Sequence, residues 1–194
     1  EQRPLAPEPL LALVQLGVED HSDGETLHLK GAIRGGTIVL PEFSVTATEN
    51  ILLAAACAKG ETKIHIAAAE PHVQDLCILL QEIGAKISGI GTHDLTISGC
   101  ALRGTEHIVT TDYLEAGFFA LAGVLTGGDL RVQGVRPEQL ISFFKVMETL
   151  GAPYTFEADG TLHVHGGGKL TALRVKTNIF PGFPTDLQAA MGVA

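Results

Sequence analysis

Tryptophan is absent from this chain, and its three cysteines, Cys57, Cys77 and Cys100, lie far apart with no CxxC pair. An odd, widely spaced set supports neither a disulfide framework nor a zinc knuckle. Cys57 and Cys77 fall within apolar helical pattern, so buried reduced thiols in a reducing cytosol are expected. No apolar run approaches the roughly 20 residues that span a bilayer, and Glu1-Gln2-Arg3-Pro4 lacks signal-peptide character. The expectation is a cytoplasmic chain with no membrane partner. Cations are in deficit: 13 Lys and Arg face 22 Asp and Glu, giving a net charge of −9 with no block of like charges. That excludes a basic footprint for nucleic acid or anionic lipid. An anionic ligand therefore needs a local site built from backbone N–H groups and a few Arg or Lys.

What the chain does have is enough apolar residues, at 45%, to exclude disorder. Its 194 residues suit one ordinary domain or two small ones. It also has an internal repeat. Ser44–Gly99 matches Thr111–Gly166 without a gap, at a constant offset of 67 residues. Gly60 falls on Gly127, Gly84-Ala85 on Gly151-Ala152, and Gly99 on Gly166. The apolar residues Val73, Leu76, Leu80 and Ile83 fall on Leu140, Phe143, Met147 and Leu150.

Each copy predicts a helix (about 45–58 and 112–125) ended by glycine, then an alternating strand at 63–66 or 130–132. A second helix begins near Glu70-Pro71 or Arg136-Pro137 and stops at Gly84 or Gly151. Two short strands close each copy, with Asp159-Gly160 as a hairpin turn in the second. A strand at 36–40 or 173–176 precedes a first helix, so the unit reads βαβαββ and the class is α/β (α+β). Residues 9–17 read as the second helix of an earlier copy. Thr185-Asp186-Leu187 repeats Thr111-Asp112-Tyr113 and opens another. Both ends thus fall inside a unit, and a fragment or processed chain is expected. If the chain is whole, its cut units predict self-association, because an uncovered apolar helix face is unstable alone.

Four ordered motifs carry a resemblance to a known family: Phe43-Ser44-Val45-Thr46-Ala47-Thr48-Glu49-Asn50, Ala69-Glu70-Pro71, Ile83-Gly84-Ala85-Lys86-Ile87-Ser88-Gly89 and Pro181-Gly182-Phe183-Pro184-Thr185-Asp186-Leu187-Gln188. The chain resembles the enolpyruvyl transferases, and within them the UDP-N-acetylglucosamine branch. The resemblance implies an inside-out α/β barrel of repeated βαβαββ units, helices inside and sheets outside, in two domains with the active site between them. It places 1–109 in the later part of the first domain, as the end of one repeat plus a full one. It places 110–194 at the start of the second, as a full repeat plus the beginning of another. The implied reaction moves the enolpyruvyl group of phosphoenolpyruvate to the 3-hydroxyl of UDP-N-acetylglucosamine. This is the first committed step of peptidoglycan synthesis, serving cell-wall biogenesis, cell shape and cell division. No cofactor is implied.

That reaction needs a group to take the hydroxyl proton and a donor for the vinyl carbon. By resemblance Asp186 is the catalytic group that contacts and deprotonates the sugar hydroxyl. Read from the residues alone, Thr185-Asp186 opens a helix, where either side chain caps and an acid complements the dipole. The neighbouring Pro184 gives a rigid backbone suited to presenting one carboxylate.

The resemblance assigns Arg3, Pro4 and Leu5 to the uridine, and Phe43, Ser44 and Val45 to the diphosphate and base. Ser44 reads equally as a phosphate ligand or as an N-cap. Glu42 and Thr46 stand where the family commonly has Lys and Gly, and an acid there disfavours anion binding. His163 and His165 share one strand face without a third ligand, so no metal is expected. The other histidines, His107 among them, are expected at the surface or satisfied. The family's cysteine-bearing lid, early Lys-Asn pair and late arginines have no counterpart in these residues, so the chain alone is expected to be inactive. The alternatives are the shikimate-pathway enolpyruvyl transferase, disfavoured by the motifs at 43–48 and 183–188, and a noncatalytic repeat module that binds a nucleotide sugar or a protein partner.

Overall fold

Helix α1, Pro7–Gln15, buries Ala12 and is followed by the buried Leu16 and by Gly17, whose φ of +95° favours glycine. It opens a computed structural model that describes residues 7–23 and 25–194. An antiparallel pair follows, β1 (Val18–Asp20) with β2 (Leu29–Gly31). Strand β3 (Thr37–Val39) then leads through helix α2 (Val45–Ala56) to the parallel strand β4 (Glu61–His65). Helix α3 (Pro71–Glu82) begins on the predicted proline and leads to β5 (Lys86–Ser88) and β6 (Asp94–Ser98). The sheet order is β3-β4-β6-β5, with β6 antiparallel to both neighbours. This is the predicted βαβαββ unit, complete.

Alternation decides which face of that sheet is covered. Ile38, Ile64, Leu95 and Ile97 point to one side and are fully or almost fully buried, while Lys63 and Lys86 face out. Against the inner face pack Ile51, Leu52 and Ala55 of α2 and Val73, Cys77 and Leu80 of α3. Each large aliphatic side chain buried this way contributes about 1.5–3 kcal/mol.

The chain divides into two compact units between Val109 and Thr110. The second holds α4 (Tyr113–Thr126), β7 (Asp129–Val132), α5 (Ile141–Leu150), β8 (Tyr154–Phe156), β9 (Leu162–His165) and α6 (Gln188–Val193). Its antiparallel sheet runs β7-β9-β8, turned at Gly160 as expected. Ala120 and Leu121 of α4, Phe143 and Met147 of α5, and Leu162 and Val164 of β9 form a separate core. Helices α4 and α5 end at Gly127 and Gly151, both left-handed.

Three expectations are corrected here. The second helix of the later copy does not start at Arg136-Pro137: Pro137–Gln139 makes a single 3-10 turn, and α5 begins at Ile141. Leu140 is buried with φ −127° and ψ 25°, a non-helical backbone that separates the turn from the helix. Residues 173–176 form no strand; β3 is a strand because β4 lies beside it, and 173–176 have no such neighbour. Cys57 is exposed rather than buried, since it caps the C-terminus of α2 where the helix leaves the core. Cys77 is buried, which raises its thiol pKa to about 11.

Candidate functional site

Asp186 occupies a 3-10 turn, Thr185–Leu187, tightly anchored on both sides of it. Phe183 is 3% exposed and lies 6.2 Å from Phe143, centroid to centroid. Leu187 is buried over Gly117, where a Cβ would approach the Leu187 Cδ1 to 2.5 Å. Asn178 N–H donates to the Phe183 carbonyl at 2.9 Å, and Phe180 meets Tyr113 edge-on at 6.4 Å. The Phe180-Pro181 peptide is cis. Two buried apolar side chains thus clamp the turn and leave Asp186 between them, exposed to solvent.

The capping expectation for Thr185 and Asp186 is overturned. Pro184 stands at the N-cap, and no side chain caps the turn. Among the described residues no hydrogen bond or ion pair engages the Asp186 carboxylate. Its repeat counterpart behaves differently: Asp112 caps α4, accepting from Leu114 N–H at 2.8 Å and Glu115 N–H at 3.1 Å. One sequence pattern has therefore produced a spent carboxylate and a free one. A cavity of roughly 190 Å³ lined by Leu173, Val175, Phe183 and Met191 lies beside the turn. It falls below the ~300 Å³ at which ligand pockets begin.

In the first unit, Phe43, Ser44 and Val45 stand at the start of α2. Ser44 is the N-cap, its hydroxyl accepting from Ala47 N–H at 3.2 Å, so the capping reading describes what this side chain does here. Thr48, fully buried, donates to the Ser44 carbonyl at 2.7 Å and accepts from Ala68 N–H at 3.0 Å. That bond fastens the helix start to residues 66–69, where Ile66 takes φ +62°, unfavourable for a β-branched side chain. Phe43 is 38% exposed, with its ring 4.5 Å from that of His93. His93 Nδ1 lies 2.8 Å from the Ala67 carbonyl. Glu42 and Thr46 are both exposed at this helix start. Arg3, Pro4 and Leu5 lie outside the described residues.

Sequence reasoning gave Thr48 no role of its own and expected His93 only at the surface or satisfied, as it is. Thr48 could have been found as a threonine on the apolar face of α2; His93 had no signal, because its partners come from other elements. His163 and His165 share a face as predicted, ring centroids 3.9 Å apart. His163 belongs to an ion network, its Nε2 2.8 Å from Asp129 while Arg131 bonds both Asp129 and Glu157, and His165 Nε2 lies 3.1 Å from the Thr155 hydroxyl. The hydrogen bond from His163 holds the Asp129 carboxyl below its usual range. Among the described residues no three such side chains are placed to hold a metal ion. No helix among them is long and apolar enough to cross a membrane.

One complete βαβαββ unit followed by a second αβαββ copy sets the fold class, and comparison with known proteins identifies the family. The family model of EPSP synthase (3-phosphoshikimate 1-carboxyvinyltransferase) matches residues 1–193. The chain belongs to that enolpyruvyl transferase family. It is 44% identical over 160 residues to a UDP-N-acetylglucosamine 1-carboxyvinyltransferase of Zymomonas mobilis, covering 82% of this chain and 37% of that protein. It is 40% identical over 185 residues to the protein of the same name from Rhodopseudomonas palustris, covering 94% of this chain and 43% of that one. The chain thus spans about two-fifths of the length of these relatives. Among solved structures, the enolpyruvyl transferase NikO from Streptomyces tendae aligns with a TM-score of 0.79 at 22% identity, over 96% of this chain and 48% of that one. EPSP synthase from Acinetobacter baumannii aligns with a TM-score of 0.69 at 22% identity, over 90% and 42%. These two share the fold.

Proposed function

We propose that this chain forms part of a cytoplasmic enolpyruvyl transferase that uses UDP-N-acetylglucosamine as acceptor and phosphoenolpyruvate as donor, serving peptidoglycan synthesis. The observation that carries the reading is Asp186: a carboxylate left unengaged on a turn clamped by Phe183 and Leu187. An acid that neither caps its helix nor pairs with a cation is free to accept a proton. A rigid backbone holds it in one place, as general-base catalysis requires. In this reading Asp186 takes the proton of the sugar 3-hydroxyl as the oxygen bonds to the enolpyruvyl carbon and the vinyl methylene gains a proton; the methyl so formed then gives up a proton as phosphate departs, restoring the double bond. The choice of acceptor rests on the 40–44% identity to proteins named for UDP-N-acetylglucosamine.

Phe43, Ser44 and Val45, with Arg3, Pro4 and Leu5, form the proposed nucleotide contacts. Ser44 contributes chiefly by ordering the first turn of α2, whose free N–H groups suit a phosphate. The boundary at Val109–Thr110 is proposed as the passage from the first family domain to the second. The chain by itself is proposed to lack turnover, since it spans about two-fifths of its relatives.

The test is phosphate release from phosphoenolpyruvate by the full-length protein with UDP-N-acetylglucosamine saturating. No release would sink the proposal. In that protein Asp186→Asn is expected to lower kcat by about 10²-fold or more with little change in KM for the sugar, the pattern of a lost transition-state role. Unchanged kcat would reduce Asp186 to a surface acid.

A further inference from the structure

Residues 99–109 carry no helix or strand, yet they are pinned to the first unit at successive points. Gly99 is wedged against the end of α2, where a Cβ would fall 2.5 Å from the Ala55 carbonyl oxygen. Cys100 N–H donates to the Ala56 carbonyl at 3.0 Å, and Arg103 N–H to the Ile83 carbonyl at 3.1 Å. The last anchor is His107. Its Nδ1 lies 2.9 Å from Glu82 and its Nε2 3.2 Å from Asp75, both on α3. The two acids are seven residues apart, on one face of the helix. The side chain of His107 is 12% exposed and that of Asp75 is 17%. Immediately afterwards Ile108 is 94% exposed and Val109 75%, and the unit ends.

This geometry constrains the charge. A neutral imidazole has one N–H donor and one acceptor nitrogen, whereas ionised carboxylates only accept. Two carboxylates, one at each ring nitrogen, are both satisfied only when the ring is protonated. The arrangement is also particular to this copy of the repeat: Asp75 and Glu82 fall on Ser142 and Thr149 in the second copy.

We propose that His107 is a protonation-dependent latch, fastening the end of the first unit to α3 as an imidazolium and releasing residues 104–109 when it loses its proton. The charged groups acting on it are Glu82 and Asp75 of α3; Arg103 and Glu106 stand on its own segment, and His72 one turn before Asp75. The hydrogen bonds that His107 donates to Glu82 and then to Asp75 raise its pKa above the ordinary value. A raised pKa in the folded state gives stabilisation that is fully present below the unfolded histidine value, about 6.5, and lost as pH rises through the folded value.

The experiment is amide hydrogen exchange on the whole chain at pH 6 and pH 9, corrected for intrinsic rates, with an NMR titration of the histidines. His107 should titrate above an ordinary histidine. Exchange at the Arg103 amide, which donates to the Ile83 carbonyl just before the latch, should quicken about tenfold or more between the two pH values, while β4 and β6 stay protected. His107→Gln should show the fast exchange at both pH values, and Glu82→Gln should lower the His107 titration. Protection of the Arg103 amide independent of pH, or a His107 that titrates at or below the ordinary value, would overturn the latch.

Discussion

Asp112 and Asp186 open the same motif in two places, and what separates them is how the backbone arrives. Asp112 enters α4 with φ −70° and ψ 109°, the extended conformation that lets its carboxylate reach back to two N–H groups. Asp186 sits one place inside its turn, behind Pro184, where its side chain cannot fold back over the first N–H groups. The contrast predicts stability as well as chemistry. Asp112→Ala should destabilise the chain by about 1 kcal/mol, and Asp186→Ala should fall within about ±0.5 kcal/mol, both by urea denaturation. A loss at Asp186 equal to that at Asp112 would make it a cap after all. Ser44 shows how a single residue serves two readings, since an N-cap hydroxyl turned toward Ala47 N–H also orders the turn that would face a phosphate.

Helices α4 and α5 end on left-handed glycines, whereas α2 and α3 are capped by Cys57 and Ile83, and some glycines are required by close approach rather than by φ. Gly166, just past β9, passes so close to the end of α4 that a Cβ would lie 1.9 Å from the Gly127 carbonyl carbon. Its counterpart Gly99 makes the same approach to the end of α2. Because the obstacle is backbone, Gly166→Ala must push β9 off α4. A loss of about 2 kcal/mol or more is expected in thermal unfolding, within the range of overpacked sites. A melt within a degree of the wild type would show that the approach is slack.

Most elements were legible at this scale. Helix α3 starts at Pro71, α4 and α5 stop at Gly127 and Gly151, and the Asp159-Gly160 hairpin forms, since each signal acts on its own neighbours. The start of α5 and the missing strand at 173–176 were not legible. Burial of Leu140 moved the first, and want of a pairing partner decided the second.

At the scale of the whole molecule, the two units hold two cores with no residue in common. Phe143 lies at the centre of the second, fully buried against Phe144 at 5.4 Å and Phe183 at 6.2 Å. Phe143→Ala should cost about 3–5 kcal/mol. Amide protection should fall in α4, α5 and β9 while α2, β4 and β6 keep theirs. Because Phe183 clamps the Asp186 turn, the same substitution should also loosen residues 183–187. Loss of protection spread evenly over both units would show that their stabilities are not separate.

The sequence by itself determined the repeat, the α/β class, the family and most of the elements. Those are written in periodicity, in Gly and Pro punctuation and in short motifs, all acting over a few residues. Only the tertiary structure decided that Asp186 stays free while Asp112 is spent on a cap. It also decided that Thr48 ties α2 to Ala68, and that His107 meets Asp75 and Glu82 across 32 and 25 residues of chain. Each of these depends on where distant backbone arrives, and no local pattern encodes that arrival.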